Sequence, residues 1–332
     1  PRRLLRGEIK PHKRYTSKEK IGMALVALST VFYLSAAFAQ PAPTHTSSPE
    51  PTKHEVTTPA PAPVVPSVPK EEKEPAEVTI KYINVGQGDA ILIALPEKTI
   101  LIDAGPTESS SQVEKELNNL GRKKIDYLIA THPDEDHIGG LDDIINNFDI
   151  GKFYLSNGGE LGPNYYNLEK AAKKRNLAIT IPKVGDKIDF GDVNMEVMAA
   201  SKFDGKNDNN ASIVIQAKYG SRKYLFMGDL EKQEEAKRKW NEVDVLKAGH
   251  HGSNTSSTQE FLNQVKPKYV FVSAGKNNKY RLPNVKAMER IEKTGAKIFR
   301  TDVNESSFWL TSNGNDIDIK EVSINLDGNG GK

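Results

Sequence analysis

Ten of the nineteen prolines lie between Pro41 and Pro75, and no other feature limits so sharply what this chain can fold into. Each proline removes a backbone N–H and fixes φ, so neither a helix nor a sheet ladder propagates through "QPAPTHTSSPEPTKHEVTTPAPAPVVPSVPKEEKEP". The stretch also lacks hydrophobic periodicity. Residues 40–77 are therefore expected to be a disordered Pro-rich linker, and the packed core has to come from residues 78–332, a span long enough for one sizeable domain.

Before the linker, a basic N-terminal region (1–20, with Arg2, Arg3, Arg6, Lys10, Lys13, Arg14, Lys18 and Lys20) runs into nineteen charge-free residues, "IGMALVALSTVFYLSAAFA", at 21–39. That order reads as an export segment. Ala37-Phe38-Ala39 has the small-x-small form of a signal peptidase site, while nineteen apolar residues are also enough for an uncleaved membrane anchor. Either outcome places the domain outside the membrane, secreted or anchored at the cell surface, with only the N-terminal segment touching lipid. Cysteine is absent, which excludes disulfides, thiolate zinc sites, a cysteine nucleophile and a lipidated N-terminal cysteine. Within 78–332 there are 35 basic and 36 acidic residues, so net charge names no partner.

From Val78 onwards short β-rich runs alternate with helical patterns. "VTIKYINV" and "AILIAL" flank the turn "GQGD", "KTILIDAG" ends a buried strand at Asp103, "SSQVEKELNNLG" reads as a helix, and "KIDYLIATH" as the next strand. Further strands are expected at 151–155, 192–199, 211–218, 222–228, 243–248, 268–273, 297–301, 306–311 and 316–322. Helices are expected near 137–147, 164–176, 230–239, 258–265 and 284–293. The fold class is α/β, two packed sheets covered by helices in a four-layer αββα sandwich.

The domain has four histidines, and they occupy two places: His132 and His137 in "ATHPDEDHIGGL", and His250 and His251 in "LKAGHHGSNTSS". Both places follow apolar runs, where strand ends can meet on one rim. Asp103 after "TILI" and Asp229 after "YLFMG" have the same setting. Imidazoles and carboxylates together suit divalent cations. Taken singly, Asp103 could serve a turn, Asp229 an N-cap, and the histidine pair a loop. His132-x-Asp134-x-Asp136-His137, running into Gly139-Gly140, concentrates more ligands than a structural loop needs.

That stretch resembles the His-x-His-x-Asp-His motif of the metallo-β-lactamase superfamily, with Asp134 in place of the second histidine. Together with "VGQGDAILI", "LIDAG", "NNASIVI", "FMGDLE" and "HHGSNTSS", it looks like the metallo-β-lactamase-type domain of ComEC competence proteins, here as a stand-alone exported domain. The resemblance covers residues 78 to about 320. It implies two divalent metal ions, Mn²⁺ or Zn²⁺, ringed by His132, Asp134, Asp136, His137, Asp229 and His250. Asp229 would bridge them, Asp136, Asp229 and His251 would be catalytic, and His251 is the alternative ligand or a proton donor. Asp103 would orient the motif from behind, as such ligands require. Two departures stand out. No histidine lies between His137 and His250, leaving Asp208, Asn209 or Asn210 as substitutes, with Asn210 assigned a supporting place. Leu282 in "YRLPN" also stands where the family often has histidine.

The chemistry implied is hydrolysis. Residues 261–300 hold ten Lys and Arg against two acids, and a basic stripe beside a metal site attracts a polyanion. Lys276, Lys279 and Arg281, with the hydroxyls of Ser253 and Thr255, are the expected substrate contacts. The leading expectation is an exported metal-dependent phosphodiesterase, a nuclease acting on DNA. The alternatives are a small-molecule metallohydrolase acting on a lactam, lactone or thioester, and a non-catalytic surface module that binds nucleic acid.

Overall fold

The computed structural model of the chain describes residues 76–159 and 162–323. The basic region, the apolar run and nearly all of the Pro-rich stretch thus lie outside the described residues. Among those described, no helix is long and apolar enough to cross a membrane.

Fifteen strands among the described residues form two sheets. The first contains β1 (Val78–Tyr82), β2 (Ile91–Ala94), β3 (Thr99–Ile102), β4 (Lys124–Ala130), β5 (Asp149–Leu155), β6 (Ile179–Thr180), β14 (Ser306–Ser312) and β15 (Ile317–Ser323). Their order is β15-β14-β1-β2-β3-β4-β5-β6. The second contains β7 (Lys187–Phe190), β8 (Val193–Ala199), β9 (Val214–Tyr219), β10 (Arg222–Phe226), β11 (Val245–Lys247), β12 (Tyr269–Val272) and β13 (Lys297–Arg300), in the order β13-β12-β11-β10-β9-β8-β7. Each sheet has a parallel block, β3 to β6 in one and β10 to β13 in the other.

Alternation along the strands produces the layers. In "TILI", Ile100 and Ile102 enter the core shared by the two sheets, while Leu101 faces the opposite way. On that outer side it joins Val113 and Leu117, one turn apart on the helix Ser110–Asn119, and Leu141, Ile144 and Leu168 from the helices Leu141–Asn147 and Pro163–Lys174. The second sheet repeats the pattern. Tyr224 and Phe226 point inward, whereas Leu225 and Leu246 pack beneath Phe261, Leu262, Met288 and Ile291 of the helices Gln259–Val265 and Val285–Glu292. Both covering helices begin on a side-chain cap: Thr258 accepts from the Phe261 N–H and Asn284 from the Lys286 N–H. The result is the four-layer αββα sandwich.

Local differences from the sequence expectation have identifiable causes. The expected helix 137–147 divides into Glu135–Ile138 and Leu141–Asn147. Gly139 lies at the break, against the turn that follows Asp103, where a Cβ would stand 2.5 Å from the Thr107 amide nitrogen and 2.6 Å from the Glu135 carbonyl oxygen. The expected helix 230–239 is a single turn, Lys232–Glu235, because Glu235 is turned inward to accept from the Ser257 and Thr258 amides. The strand begun at Val78 ends at Tyr82, after which the Asn84 amide is taken up by Ser307 Oγ. The short strands β6 and β7 escaped notice, β6 having only two residues, both exposed.

Gly139→Ala is expected to destabilise the chain by about 1–3 kcal/mol through overpacking. A urea melt should show a lower midpoint at unchanged slope; an unchanged midpoint would mean that the turn yields freely.

Candidate metal centre

The C-terminal ends of the parallel strands deliver the polar groups, the usual place for a site in open α/β sheets. At the end of β3, Asp103 takes a left-handed backbone conformation (φ 57°). Its Oδ1 accepts from the Thr131 N–H at 2.8 Å, and its Oδ2 accepts from Thr131 Oγ1 at 2.7 Å. The same Oδ2 lies 2.8 Å from His137 Nδ1. Because the Thr131 hydroxyl spends its proton on Asp103, it is left to accept from His132 Nδ1 at 3.1 Å. Both histidines therefore carry Nδ1–H and turn Nε2 towards the centre.

Across the rim, β10 leads through Gly228 to Asp229, and β11 leads to His250 and His251. These two histidines adopt successive left-handed conformations (φ 48° and 51°), an arrangement that costs about 1–3 kcal/mol per residue and survives only where packing enforces it. Here Glu235 grips the backbone of Ser257 and Thr258, and Arg290 donates to the carbonyls of Ser256 and Ser257 and to Asn254. His251 Nδ1 donates to the Ser273 carbonyl at 3.0 Å, so its Nε2 also faces inward.

Asp229 is the hub. Its Oδ1 lies 3.3 Å from His137 Nε2, and its Oδ2 lies 3.3 Å from His251 Nε2, 3.7 Å from His250 Nε2 and 3.9 Å from His132 Nε2. His137 Nε2 and His251 Nε2 are 3.2 Å apart. Asp136 Oδ2 adds a contact at 3.3 Å to His251, and Asp134 Oδ2 one at 3.5 Å to His132. His250 sits at the edge, its Nδ1 3.3 Å from Glu231 Oε1 and 3.1 Å from Thr255 Oγ1.

Burial alone would raise the Asp229 carboxyl, but the charges of His251, His137 and His250 outweigh it and hold the group well below the usual carboxylate range. Burial likewise acts upward on Asp136, while the hydrogen bond from His251 and the charges of His137 and His251 bring it down to about 2. For His137 and His251 burial acts downward and is overcome, chiefly by Asp229, so both are held well above the ordinary imidazole range. With Nδ1–H committed backward, Nε2 is the atom that each ring leaves facing Asp229, and a divalent cation bound there would compete with protons for it.

The donors fit such a cation. His132 Nε2 and Asp229 Oδ1 are buried without a hydrogen-bond partner, a costly arrangement unless something else satisfies them. One carboxylate or imidazole atom from each of His137, Asp229 and His251, with one of Asp89 beside them, lies within 4.8 Å of the others. A metal-binding sequence family agrees with this chemistry: the model of the "Metallo-beta-lactamase superfamily" matches residues 83–276. The chain belongs to the metallo-β-lactamase superfamily. Within it, ComE operon protein 3 of Bacillus subtilis is 32% identical over 251 residues, covering 69% of this chain and 32% of that protein. Competence protein ComA of Neisseria gonorrhoeae is 30% identical over 238 residues, covering 69% and 31%. The chain thus spans about a third of the length of these two relatives. Among solved structures, CmlA, a diiron β-hydroxylase from Streptomyces venezuelae, aligns with a TM-score of 0.48 and 13% identity, over 73% of this chain and 55% of that one.

In this metallo-β-lactamase domain the residues singled out in the sequence meet in one place: His132, Asp134, Asp136, His137, Asp229, His250 and His251 around the hub, with Asp103 behind His137. His251, only 1% exposed, is drawn into the tightest group; His250, expected there first, lies at its flank with a side chain 24% exposed. In the turn Asp208–Ala211, Asn209 Nδ2 lies 3.4 Å from His250 Nδ1, and Asn210 Oδ1 is buried without a hydrogen-bond partner. Ser253 and Thr255 bond to each other at 2.9 Å and, through Thr255, to His250. Of the basic trio, Lys276 is ion-paired with Glu305, Lys279 lies over the Tyr280 ring, and Arg281 is exposed. Three further residues went unnoticed in the sequence: Asp89, Glu231 and Lys247. The signals were present, an acid closing "GQGD", a second acid in "GDLE", and a lysine inside the apolar run "VDVLKAG".

Asp229→Ala should abolish metal retention, because it removes the carboxylate shared by all four imidazoles. Asp103→Ala should keep the number of bound ions but weaken affinity by about 10–100-fold, the usual cost of losing a supporting partner. Elemental analysis with chelator competition checks both, and full metal content in Asp229→Ala would overturn the hub assignment.

Proposed function

We propose that this chain is an exported metal-dependent phosphodiesterase that cleaves DNA with two divalent ions. The observation that carries the reading is Asp229, one buried carboxylate within 3.9 Å of four imidazoles. It can serve two ions at once, His137 and His251 meeting at its centre, with His132 and Asp134 on one flank and His250 on another. Divalent ions, if held by these residues, would supply an activated water and charge stabilisation for an in-line displacement. The protein's part is to fix the donors: Asp103 and Thr131 hold two imidazoles, Ser273 holds a third, and Glu231 and Thr255 hold the fourth. That one relative bears the name competence protein favours DNA as the substrate.

One observation favours a smaller substrate. Four of the ten basic residues in 261–300 are ion-paired: Lys266 with Glu242, Lys268 with Asp244, Lys276 with Glu305 and Arg300 with Asp302. A fifth, Arg290, is occupied with loop carbonyls. This lessens the field offered to a polyanion, so a small-molecule metallohydrolase is the second reading.

The deciding experiment strips the full chain with chelator and resupplies Mn²⁺, Zn²⁺ or Mg²⁺ against single- and double-stranded DNA, RNA, bis-p-nitrophenyl phosphate and nitrocefin. With Asp134 replacing an imidazole, the donor set leans towards oxygen, and Mn²⁺ should support faster cleavage than Zn²⁺. Lys279→Glu with Arg281→Glu should raise KM for long DNA and reduce the log–log salt slope by about 2, one counterion per lost contact. Hydrolysis of the small diester should hardly change. Metal-dependent turnover of nitrocefin with none of DNA would replace the nuclease reading by the second.

A further inference from the structure

Lys247 is the least expected residue near the centre, an ammonium with no exposed side-chain surface on the central strand β11. Its Nζ lies 2.7 Å from Asp89 Oδ2 and donates to the Ala248 carbonyl at 3.0 Å. Asp89, 2% exposed, is brought there because its amide donates to the Asp136 carbonyl, a close approach that Gly88 allows: a Cβ on Gly88 would collide with that same oxygen. The other carboxylate oxygen, Oδ1, has no hydrogen-bond partner and stands 3.4 Å from His251 Nδ1.

This mirrors the opposite side of the centre, where Asp103 Oδ2 stands 2.8 Å from His137 Nδ1. One buried carboxylate therefore backs each of the two histidines whose Nε2 atoms face each other at 3.2 Å. The supports differ. Asp103 is satisfied by neutral donors of Thr131, whereas Asp89 is satisfied by a full positive charge. Asp89 also lies on the Nδ1 side of His251, away from the nitrogen that faces the hub.

We propose that Asp89 and Lys247 form a positioning pair for His251. Asp89 supports the Nδ1–H edge of the ring beside the Ser273 carbonyl and is not a metal ligand. Lys247 holds Asp89 Oδ2 at 2.7 Å and so keeps the carboxylate turned away from the hub without adding net charge to the site. The proposal rests on the metal-centre reading above, but it makes a statement about His251 that holds in the metal-free chain as well.

The test removes both charges together, since breaking a buried pair on one side leaves the other charge stranded. In the full-length Asp89→Leu/Lys247→Met variant, titration with Mn²⁺ should give the same number of ions per chain as the parent, with affinity lower by about 10–100-fold. In metal-free protein, ¹⁵N-edited NMR should show the His251 Nδ1 proton exchanging faster with solvent. Asp89→Asn/Lys247→Met retains an acceptor oxygen beside Nδ1 and should recover most of both losses. Loss of one ion per chain in both variants would make Asp89 a ligand and overturn the proposal. Unchanged affinity and unchanged proton exchange in the Leu/Met variant, whatever its melting temperature, would reduce the pair to structural support and also overturn it. If the parent chain binds no Mn²⁺, the metal reading fails, and the proton-exchange arm alone still decides the pair.

Discussion

Asp229 is a carboxylate 2% exposed, surrounded by four imidazoles within 3.9 Å, and much of the fold can be understood as the means of keeping it there. A charge in that position is tolerated only with compensating charge and hydrogen bonds on every side. A single strand or loop cannot supply these. The two sheets do, because each contributes a parallel block whose C-terminal ends meet at the same rim. β3 and β4 carry Asp103, Thr131 and His132, and β10, β11 and β12 carry Asp229, the histidine pair and Ser273. The apolar alternation that buries Ile100, Ile102, Tyr224 and Phe226 between the sheets is thus also what brings these ends into register.

Close approach has a local cost, visible in the backbone. Gly88 and Gly139 occur where a Cβ would strike the neighbouring main chain, and Asp103, His250 and His251 are non-glycine residues in left-handed conformations. Strain of this kind persists where surrounding contacts over-determine it. Around His250 and His251 those contacts are explicit: Glu235 on the amides of Ser257 and Thr258, Arg290 on the carbonyls of the same loop, and Ser273 on His251 itself. The supports behind the imidazoles are graded as well. Thr131 and Asp103 serve His132 and His137 with a short hydrogen-bonded chain, Ser273 and the more distant Asp89 serve His251, and Glu231 with Thr255 holds the partly exposed His250.

The layered fold was legible because its signal is repetitive: alternating strands and amphipathic helices recur along the chain, and an error in one does not disturb the rest. The motif histidines, Asp103 and Asp229 were legible because histidine is rare after residue 78 and occurs only after apolar runs. What escaped depends on three-dimensional proximity. Asp89 lies nearly fifty positions before His137 and joins the centre only because Gly88 lets two loops touch. Lys247 went unnoticed because nothing in linear sequence says that its neighbour will be a buried carboxylate. The order of the histidine pair escaped for a related reason. Two adjacent left-handed residues direct His251 inward and His250 to the flank, and no periodicity encodes that choice.

The basic stretch shows the same limit from the opposite direction. An excess of eight positive charges over 261–300 suggests a polyanion groove only while the acids that face it are unknown. Glu242, Asp244 and Glu305 come from other segments and neutralise Lys266, Lys268 and Lys276, while Asp302, just past the stretch, pairs with Arg300. Exposed pairs of this kind contribute little to stability, but they do reduce the field a substrate would experience. Lys279 and Arg281 are different: both are exposed, and the Lys279 ammonium lies over the Tyr280 ring. Tyr280, 57% exposed beside them, adds a face on which a base can stack. Under the proposed DNA reading the 279–281 turn offers one such contact, beside the exposed Lys286, Lys293 and Lys297 of the same stretch.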